Sequence, residues 1–308
     1  MANIIDLQIQ STASDGKNTP RELVSMAQKT GLEVMALTDH DTVAGLEEAL
    51  AAGQELGIRV IPGIEISAEE HGVHILGYGI DYRDPKLLEI TARFKEERTE
   101  RAKKILNNLK TNEGFIVEWE DVLREAKDAA TITSPHVVYA VINRKENQEK
   151  LSRDGVKNKQ DFYEKYLADS GPNEVKREHF SAQQAIELIH SLGGVAIWSH
   201  PAIHFLKNYD QLEKFLTELL AWKIDGLEVF SPSHTEDDVE FLTGLVQKYF
   251  LLRTAGSDFH ASDPASKPNE LGLHSAQNVG DFNTYGFSTD DIIPRLDDAL
   301  ARWRAQAN

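Results

Sequence analysis

Two hydrophobic periods alternate along most of this chain. Ile4, Ile5, Leu7 and Ile9 mark a first strand over Asn3–Gln10, followed by the polar turn Ser11-Thr12-Ala13-Ser14-Asp15-Gly16. Thr19-Pro20-Arg21-Glu22 predicts a helix start in which Thr19 caps, Pro20 fits the first position and Glu22 completes a capping box. That helix runs to Thr30 and stops at Gly31. The apolar run Val34–Leu37 leads into Thr38-Asp39-His40-Asp41, and a second helix, Gly45–Leu56, stops at Gly57. Strands follow at Arg59–Pro62, ending in Gly63-Ile64-Glu65-Ile66-Ser67, and at Val73–Tyr78. The pattern resumes after Ser181, with helices at Ala182–Leu192, Tyr209–Trp222 and Thr235–Tyr249 and strands at Val195–Trp198, Gly226–Phe230 and Leu251–Thr254. A polar stretch, Ala261–Tyr285, precedes a last helix over Thr289–Gln306. Short strands alternating with helices predict an α/β protein with a parallel sheet or barrel.

The middle of the chain reads differently. Pro85–Thr111 is one long charged helix, and Glu118–Ala126, Pro135–Ile142 and Gln160–Leu167 are shorter ones, with no comparably clear strand. Charge changes here too. The 308 residues carry a net −17, yet residues 82–180 hold 20 Lys/Arg against 19 Asp/Glu. The expected organisation is therefore an α/β part in residues 1–81 and 181–308, split by a mostly helical insertion at 82–180. The acidic balance excludes general nucleic-acid binding by the whole surface. With no cysteine, any metal site must use His, Asp and Glu, a donor set suited to Mn, Mg, Fe or Zn. No basic-then-apolar leader and no long apolar span is visible, so the expectation is a cytoplasmic protein, not bound to membrane and with no stable protein partner.

Candidate chemistry collects where strands end. Thr38-Asp39-His40-Asp41 sits where a buried strand meets a helix, the edge at which parallel α/β folds gather ligands and catalytic groups. Imidazole can ligate a metal through one nitrogen while a carboxylate orients the other. The pattern recurs: Asp15 lies beyond the first strand, Glu65 after the third, His74 in the fourth, and His200 and the Asp258/His260 pair after later ones. One such His is ordinarily structural or solvated; a series at successive strand ends reads as an N/O metal cluster at a barrel mouth.

This series resembles the PHP (polymerase and histidinol phosphatase) superfamily of metal-dependent phosphoesterases. The matching segments are Asp6-Leu7-x-Ile9-x-Ser11 with Ser14-Asp15-Gly16, Leu37-Thr38-Asp39-His40-Asp41, Gly63-Ile64-Glu65-Ile66-Ser67, His74-Ile75-Leu76-Gly77, Ser199-His200-Pro201 and Gly256-Ser257-Asp258-Phe259-His260. The resemblance implies a distorted (β/α)7 barrel holding two or three divalent ions, Mn first among them. Glu65 and Asp258 would serve a first ion, with Glu65 bridging to a second held by His74 and His200. Asp15, His40 and His260 would hold a third. Glu65, Asp258 and His200 would be catalytic. The helical insertion, with Gly226-Leu227-Glu228-Val229 and Ser231-Pro232-Ser233-His234-Thr235, looks most like the branch acting on 3′,5′-nucleoside bisphosphates or on 5′ ends of RNA and short oligonucleotides. His136 and His234 are candidate substrate contacts. On the long helix, Arg98, Arg101 and Lys104 are three apart and can form one basic stripe that steers a polyanion, the alternative being a solvated helix laced with ion pairs.

Two positions depart from the pattern. The family signature begins Asp-x-His-x-His; here the two His positions are Gln8 and Gln10. Residues two apart on a strand face the same way, so both amides should still face the mouth. An amide oxygen is a weak metal ligand, and the first site keeps only Glu65 and Asp258. The alternative is that both Gln side chains hydrogen-bond to neighbours and no first ion binds. The nucleotide-directed branch also places an Arg two residues before its helical His, where this chain has Ser134. The sequence therefore supports a phosphoesterase of nucleotides with a weakened first site. It leaves open a nucleotide- or RNA-binding protein whose catalysis is impaired, and a histidinol-phosphatase-like enzyme.

Overall fold

The computed structural model describes residues 4–127, 129–167, 171–173, 175, 180–205, 208–262 and 275–307. Seven strands lie in sequence order: β1 (Ile5–Asp6), β2 (Val34–Leu37), β3 (Arg59–Ser67), β4 (His74–Tyr78), β5 (Val195–Trp198), β6 (Gly226–Phe230) and β7 (Leu252–Ala255). Past β1 the chain runs on irregularly and closes the sheet against β7. Leu7 N donates to Ala255 O (2.9 Å), Gln10 N donates to Phe259 O (3.0 Å), and Ile9 bridges Phe259. The described first strand ends at Asp6, short of the expected Gln10 (Asn3 lies outside the described residues): residues 7–10 run between the two neighbours, with Ile9 O accepting from Thr38 N (3.0 Å) just past β2 while Leu7 N and Gln10 N turn to Ala255 and Phe259. All adjacent pairs are parallel except β3–β4 and β4–β5, so β4 alone runs against its neighbours. The result is a distorted α/β barrel with Leu7, Ile9, Ile64, Ile66, Ile75, Ile197 and Phe259 in its buried core.

The chain folds as two compact units, Met1–Thr91 with His179–Asn308, and Ala92–Glu178. The barrel unit carries α1 (Pro20–Thr30) and α2 (Leu46–Leu56). The first join falls inside α3 (Pro85–Glu113). The second unit holds the rest of α3, then α4 (Trp119–Ala126), α5 (Ser134–Ile142), α6 (Gln148–Arg153) and α7 (Lys159–Tyr166). It has its own apolar core around Leu109, Phe115, Val137, Val141, Phe162 and Tyr166. The barrel unit resumes with α8 (Ala182–Ser191), α9 (Pro201–His204), α10 (Tyr209–Ala221), α11 (Glu236–Tyr249) and α12 (Ile292–Ala307). The capping box at α1 is present, and Gly31 ends that helix at φ 85°, a left-handed conformation that glycine adopts without penalty. Among the described residues, no helix is long and apolar enough to cross a membrane.

Asp6 locks the barrel closure. Its carboxylate accepts from Ser257 N (2.9 Å), Ser257 Oγ (2.6 Å), Gly280 N (2.6 Å) and Gln8 N (3.3 Å). Burial pushes its pKa up to about 6 in spite of these donors. A carboxyl with a folded-state pKa above its unfolded value of 3.8 favours folding most when protonated. Its contribution is full below the unfolded value and is lost as pH rises through about 6. The stability advantage of the native chain over Asp6→Asn is therefore expected to shrink as pH is raised across that window. Urea unfolding of both proteins at several pH values measures it, and a difference independent of pH would disprove it.

Candidate metal centre

The reversed direction of β4 decides where His74 stands. An antiparallel strand brings its first residue to the rim where its neighbours end. His74 pairs with Ser67, the last residue of β3. His40 follows β2, His200 follows β5 and His260 follows β7, so four imidazoles from four strands meet at one rim. Their rings form a series. His260 lies 5.9 Å from His40, His40 is 5.2 Å from His74, and His74 is 5.3 Å from His200. A fifth ring, His204 in α9, is 5.1 Å from His200. The backbone just past the strands is bent into the left-handed region at Asp41 (φ 55°), His200 (φ 30°) and Asp258 (φ 50°). Such non-glycine conformations persist where surrounding structure over-determines them, commonly at functional sites.

Within Thr38-Asp39-His40-Asp41 the acids hold loops and leave the imidazole to the rim. Asp39 accepts from Ser11 N (2.7 Å), Ser11 Oγ (2.7 Å) and Ser14 Oγ (2.6 Å), fixing the turn that presents Asp15. Asp41 Oδ1 accepts from Ser67 N (2.9 Å). Asp15 Oδ1 stands 3.4 Å from His260 Nε2. The other nitrogen of that ring, Nδ1, donates to Asp258 O at 2.7 Å, so in the neutral ring Nε2 keeps its lone pair.

Glu65 is the hub. It is wholly buried, and its Oε1 lies 2.9 Å from His74 Nδ1 and 3.2 Å from His200 Nε2. Its Oε2 is 3.4 Å from His40 Nδ1. Burial alone would raise its pKa. The imidazoles of His40 and His74 and the hydrogen bonds from His200 and His74 outweigh burial and hold the carboxyl well below its usual range. Burial drives His74 the other way, down to about 4, so at neutral pH it is an uncharged imidazole able to ligate. Glu228 lies nearby, buried in β6 with one oxygen accepting from His200 N (2.9 Å). Burial and the charges of Asp258 and Glu65 push its pKa well up.

The donor chemistry fits divalent ions at two clusters. Ligand atoms of Asp15, His40 and His260 lie within 4.8 Å of one another, as do those of His40, Glu65 and His74, with His40 common to both. His200 approaches the second through Glu65 Oε1. Buried His40 Nδ1, His200 Nδ1 and Asp258 Oδ1 have no hydrogen-bond partner among the described residues, as expected of atoms meant for a cation. The expected first position does not fit. Gln8 Nε2 donates to Glu65 Oε1 (3.2 Å) and Ser199 Oγ (2.9 Å), and Gln10 Nε2 donates to Glu65 Oε2 (2.6 Å).

The remaining sequence candidates are His234 in the barrel unit, which lies close enough to His200 to feel its charge, and three residues of the helical unit. His234 is buried, with Nδ1 donating to Val229 O (2.8 Å) and Nε2 unpartnered among the described residues. In the helical unit, buried His136 turns Nδ1 toward Thr133 N (3.0 Å) and caps α5. Arg101 donates from Nε to Val175 O (2.7 Å) and from its guanidinium to Ser134 Oγ (2.7 Å), and Arg98 is half-buried on the same helix. Ser199 and Glu228 fall within matching segments of the sequence without an assigned role, and His204 is not singled out there; Ser199 donates to Glu65 Oε1 at 3.1 Å. The signals were there: a lone acid in the apolar run Gly226–Phe230, and a second His one helical turn after His200.

Fold and site together define a metal-dependent hydrolase acting on phosphate esters. Comparison with known proteins agrees, and the chain belongs to the PHP domain family, whose profile matches residues 6–229. It is 34% identical to a 5′-3′ exoribonuclease of Haemophilus influenzae over 262 residues, covering 84% of this chain and 91% of that protein. It is 32% identical to a 3′,5′-nucleoside bisphosphate phosphatase of Chromobacterium violaceum over 267 residues, covering 85% and 88%. A crystal structure described as a metal-dependent phosphoesterase of Bifidobacterium adolescentis superposes with a TM-score of 0.75 at 28% identity, covering 96% of each chain.

Proposed function

We propose that this enzyme hydrolyses phosphate esters of nucleotides, namely those of 3′,5′-nucleoside bisphosphates or at the 5′ ends of short oligonucleotides, in the cytoplasm and with manganese as its ion. The observation that carries this reading is the Glu65 carboxylate ringed by His40, His74 and His200 beside the Asp15/His40/His260 cluster. Bound divalent ions would supply charge for a phosphoryl group and acidify an attacking water. Glu65, His74 and His200 would hold one part of that charge, and Asp15, His40 and His260 another. Asp258, partly buried with one oxygen unpartnered among the described residues, faces the same cluster as a further ligand or water-orienting group. His234 would offer Nε2 to the substrate. Arg98, Arg101 and His136 are the candidate phosphate contacts of the helical unit, Arg101 supplying a guanidinium at Ser134 where the branch carries its own Arg. The names of the two curated relatives support a nucleotide substrate.

A second reading, a nucleotide- or RNA-binding protein with impaired catalysis, draws on Gln8 and Gln10. One experiment separates them. The purified chain with Mn²⁺ is offered a 3′,5′-nucleoside bisphosphate, a 5′-phosphorylated oligonucleotide and histidinol phosphate. The expected result is phosphate or mononucleotide release from one of the first two, falling at least about tenfold in His200→Ala. Tight binding of the nucleotides without turnover would favour the second reading, and hydrolysis of histidinol phosphate alone would overturn both.

A further inference from the structure

Gln8 and Gln10 stand where the family's first ion would need imidazoles, and their hydrogen bonds take up what that ion would need. Both are wholly buried. Each gives one amide N–H to a different oxygen of Glu65, at 3.2 Å and 2.6 Å, so the carboxylate is clasped from the side of β1. Gln8 is fixed further by its second N–H to Ser199 Oγ, which itself donates to Glu65 Oε1. The amide oxygens are poor substitutes for imidazole: Gln8 Oε1 has no hydrogen-bond partner among the described residues and Gln10 Oε1 accepts from Ser14 Oγ (3.2 Å), so a cation at this position would find neutral oxygens in place of nitrogen ligands. The packing gives little room for rearrangement. A Cβ at Gly256 would overlap the Cβ of Gln8 and stand 2.8 Å from Glu228 Oε1. The outward lone pairs of Glu65 meanwhile face His74 and His200 on one oxygen and His40 on the other.

We propose that this chain is a two-cation variant, in which the amides of Gln8 and Gln10 close the first ion position with hydrogen bonds and leave Glu65 to join the two remaining clusters through His40. The inference rests on reading those clusters as divalent-cation sites. The amides are donors here, not ligands, and they hold Glu65 in place whether or not ions are bound. They thus act as positioning residues.

The test counts ions rather than turnover. The full chain is stripped with chelator, reloaded with Mn²⁺, freed of excess metal and analysed by inductively coupled plasma mass spectrometry and titration calorimetry. The native chain is expected to bind two ions, and Gln8→His with Gln10→His a third. Because the double His variant could misfold in so tight a site, Gln8→Ala and Gln10→Ala are measured as well. Both should still bind two ions, while the ion-free proteins melt at lower temperature because Glu65 has lost a donor. Three ions on the native chain, with an anomalous peak between Gln8, Gln10 and Asp258, would overturn the inference and leave the phosphoesterase reading standing. A fall to one ion in either Ala variant would overturn it too, since the amide would then be a ligand. No bound ion at all would bring down the reading beneath it.

Discussion

Replacing Glu65 with Gln is expected to lower phosphate-ester hydrolysis by at least about a hundredfold, because loss even of outer-sphere partners of a catalytic ion costs about 10–100-fold. The Glu65 carboxylate lies within 3.4 Å of three imidazoles, His40, His74 and His200. The substitution keeps shape but changes two things. It removes the charge that attracts a cation, and it turns an N–H₂ group either toward Gln8 and Ser199, the donors to Oε1, or toward Gln10, the donor to Oε2. Buried donors without acceptors cost roughly 1–3 kcal/mol each, so the ion-free variant should also be less stable. In the native chain Mn²⁺ should raise the melting temperature, since a ligand that binds only the folded state stabilises it by mass action. In Glu65→Gln that rise should disappear. Turnover, ion content and calorimetric melting with and without Mn²⁺ provide the check. Native turnover together with a native ion count would show that Glu65 is not the hub.

The second large effect is expected at Asp39, which lies one residue from a proposed ligand but contacts no ion cluster itself. Asp39→Ala removes the acceptor for three donors at 2.6 to 2.7 Å in a site 2% exposed. Hydrogen bonds to a buried charge are worth about 1.5–3 kcal/mol apiece, partly offset here because burial, aided by the charge of Asp15, raises the Asp39 pKa and makes its ionised form costly. A net loss of roughly 3 kcal/mol is expected, or a fall in melting temperature of about 6–12 °C. The turn Ser11–Gly16 should loosen with it, so binding by the Asp15/His40/His260 cluster should weaken more than binding at Glu65. Stepwise Mn²⁺ titration of the variant would show one step shifted. Equal weakening of both steps would mean that Asp39 acts through global stability alone.

Local chemistry made much of this protein legible without a structure. The Thr19 capping box, Pro20 and Gly31 bound α1 because caps and left-handed stops depend on a few adjacent residues. The change from alternating strands to uninterrupted helices after Pro85, with its change in charge, marks the helical segment for the same reason. Asp15, His40, Glu65, His74, His200, Asp258 and His260 stand out as candidates in the sequence because each carries metal-ligand chemistry in or beyond a strand expected from the hydrophobic period. The donor class followed from composition, since a chain without cysteine has only His and carboxylates to offer.

Direction and partnership were not local, and only the folded chain decided them. Nothing in Val73–Tyr78 says that β4 runs against its neighbours, yet that reversal brings His74 to the rim. Period two put Gln8 and Gln10 on one face, but whether their amides would turn oxygens to a metal or hydrogens to a carboxylate depended on Glu65, 57 and 55 residues further along. The same holds for Arg101, whose partner Ser134 lies 33 residues away. A side chain's period and caps are set by neighbours a turn or a strand away. Its hydrogen-bond role is set by whichever groups burial forces against it, and those come from distant parts of the chain.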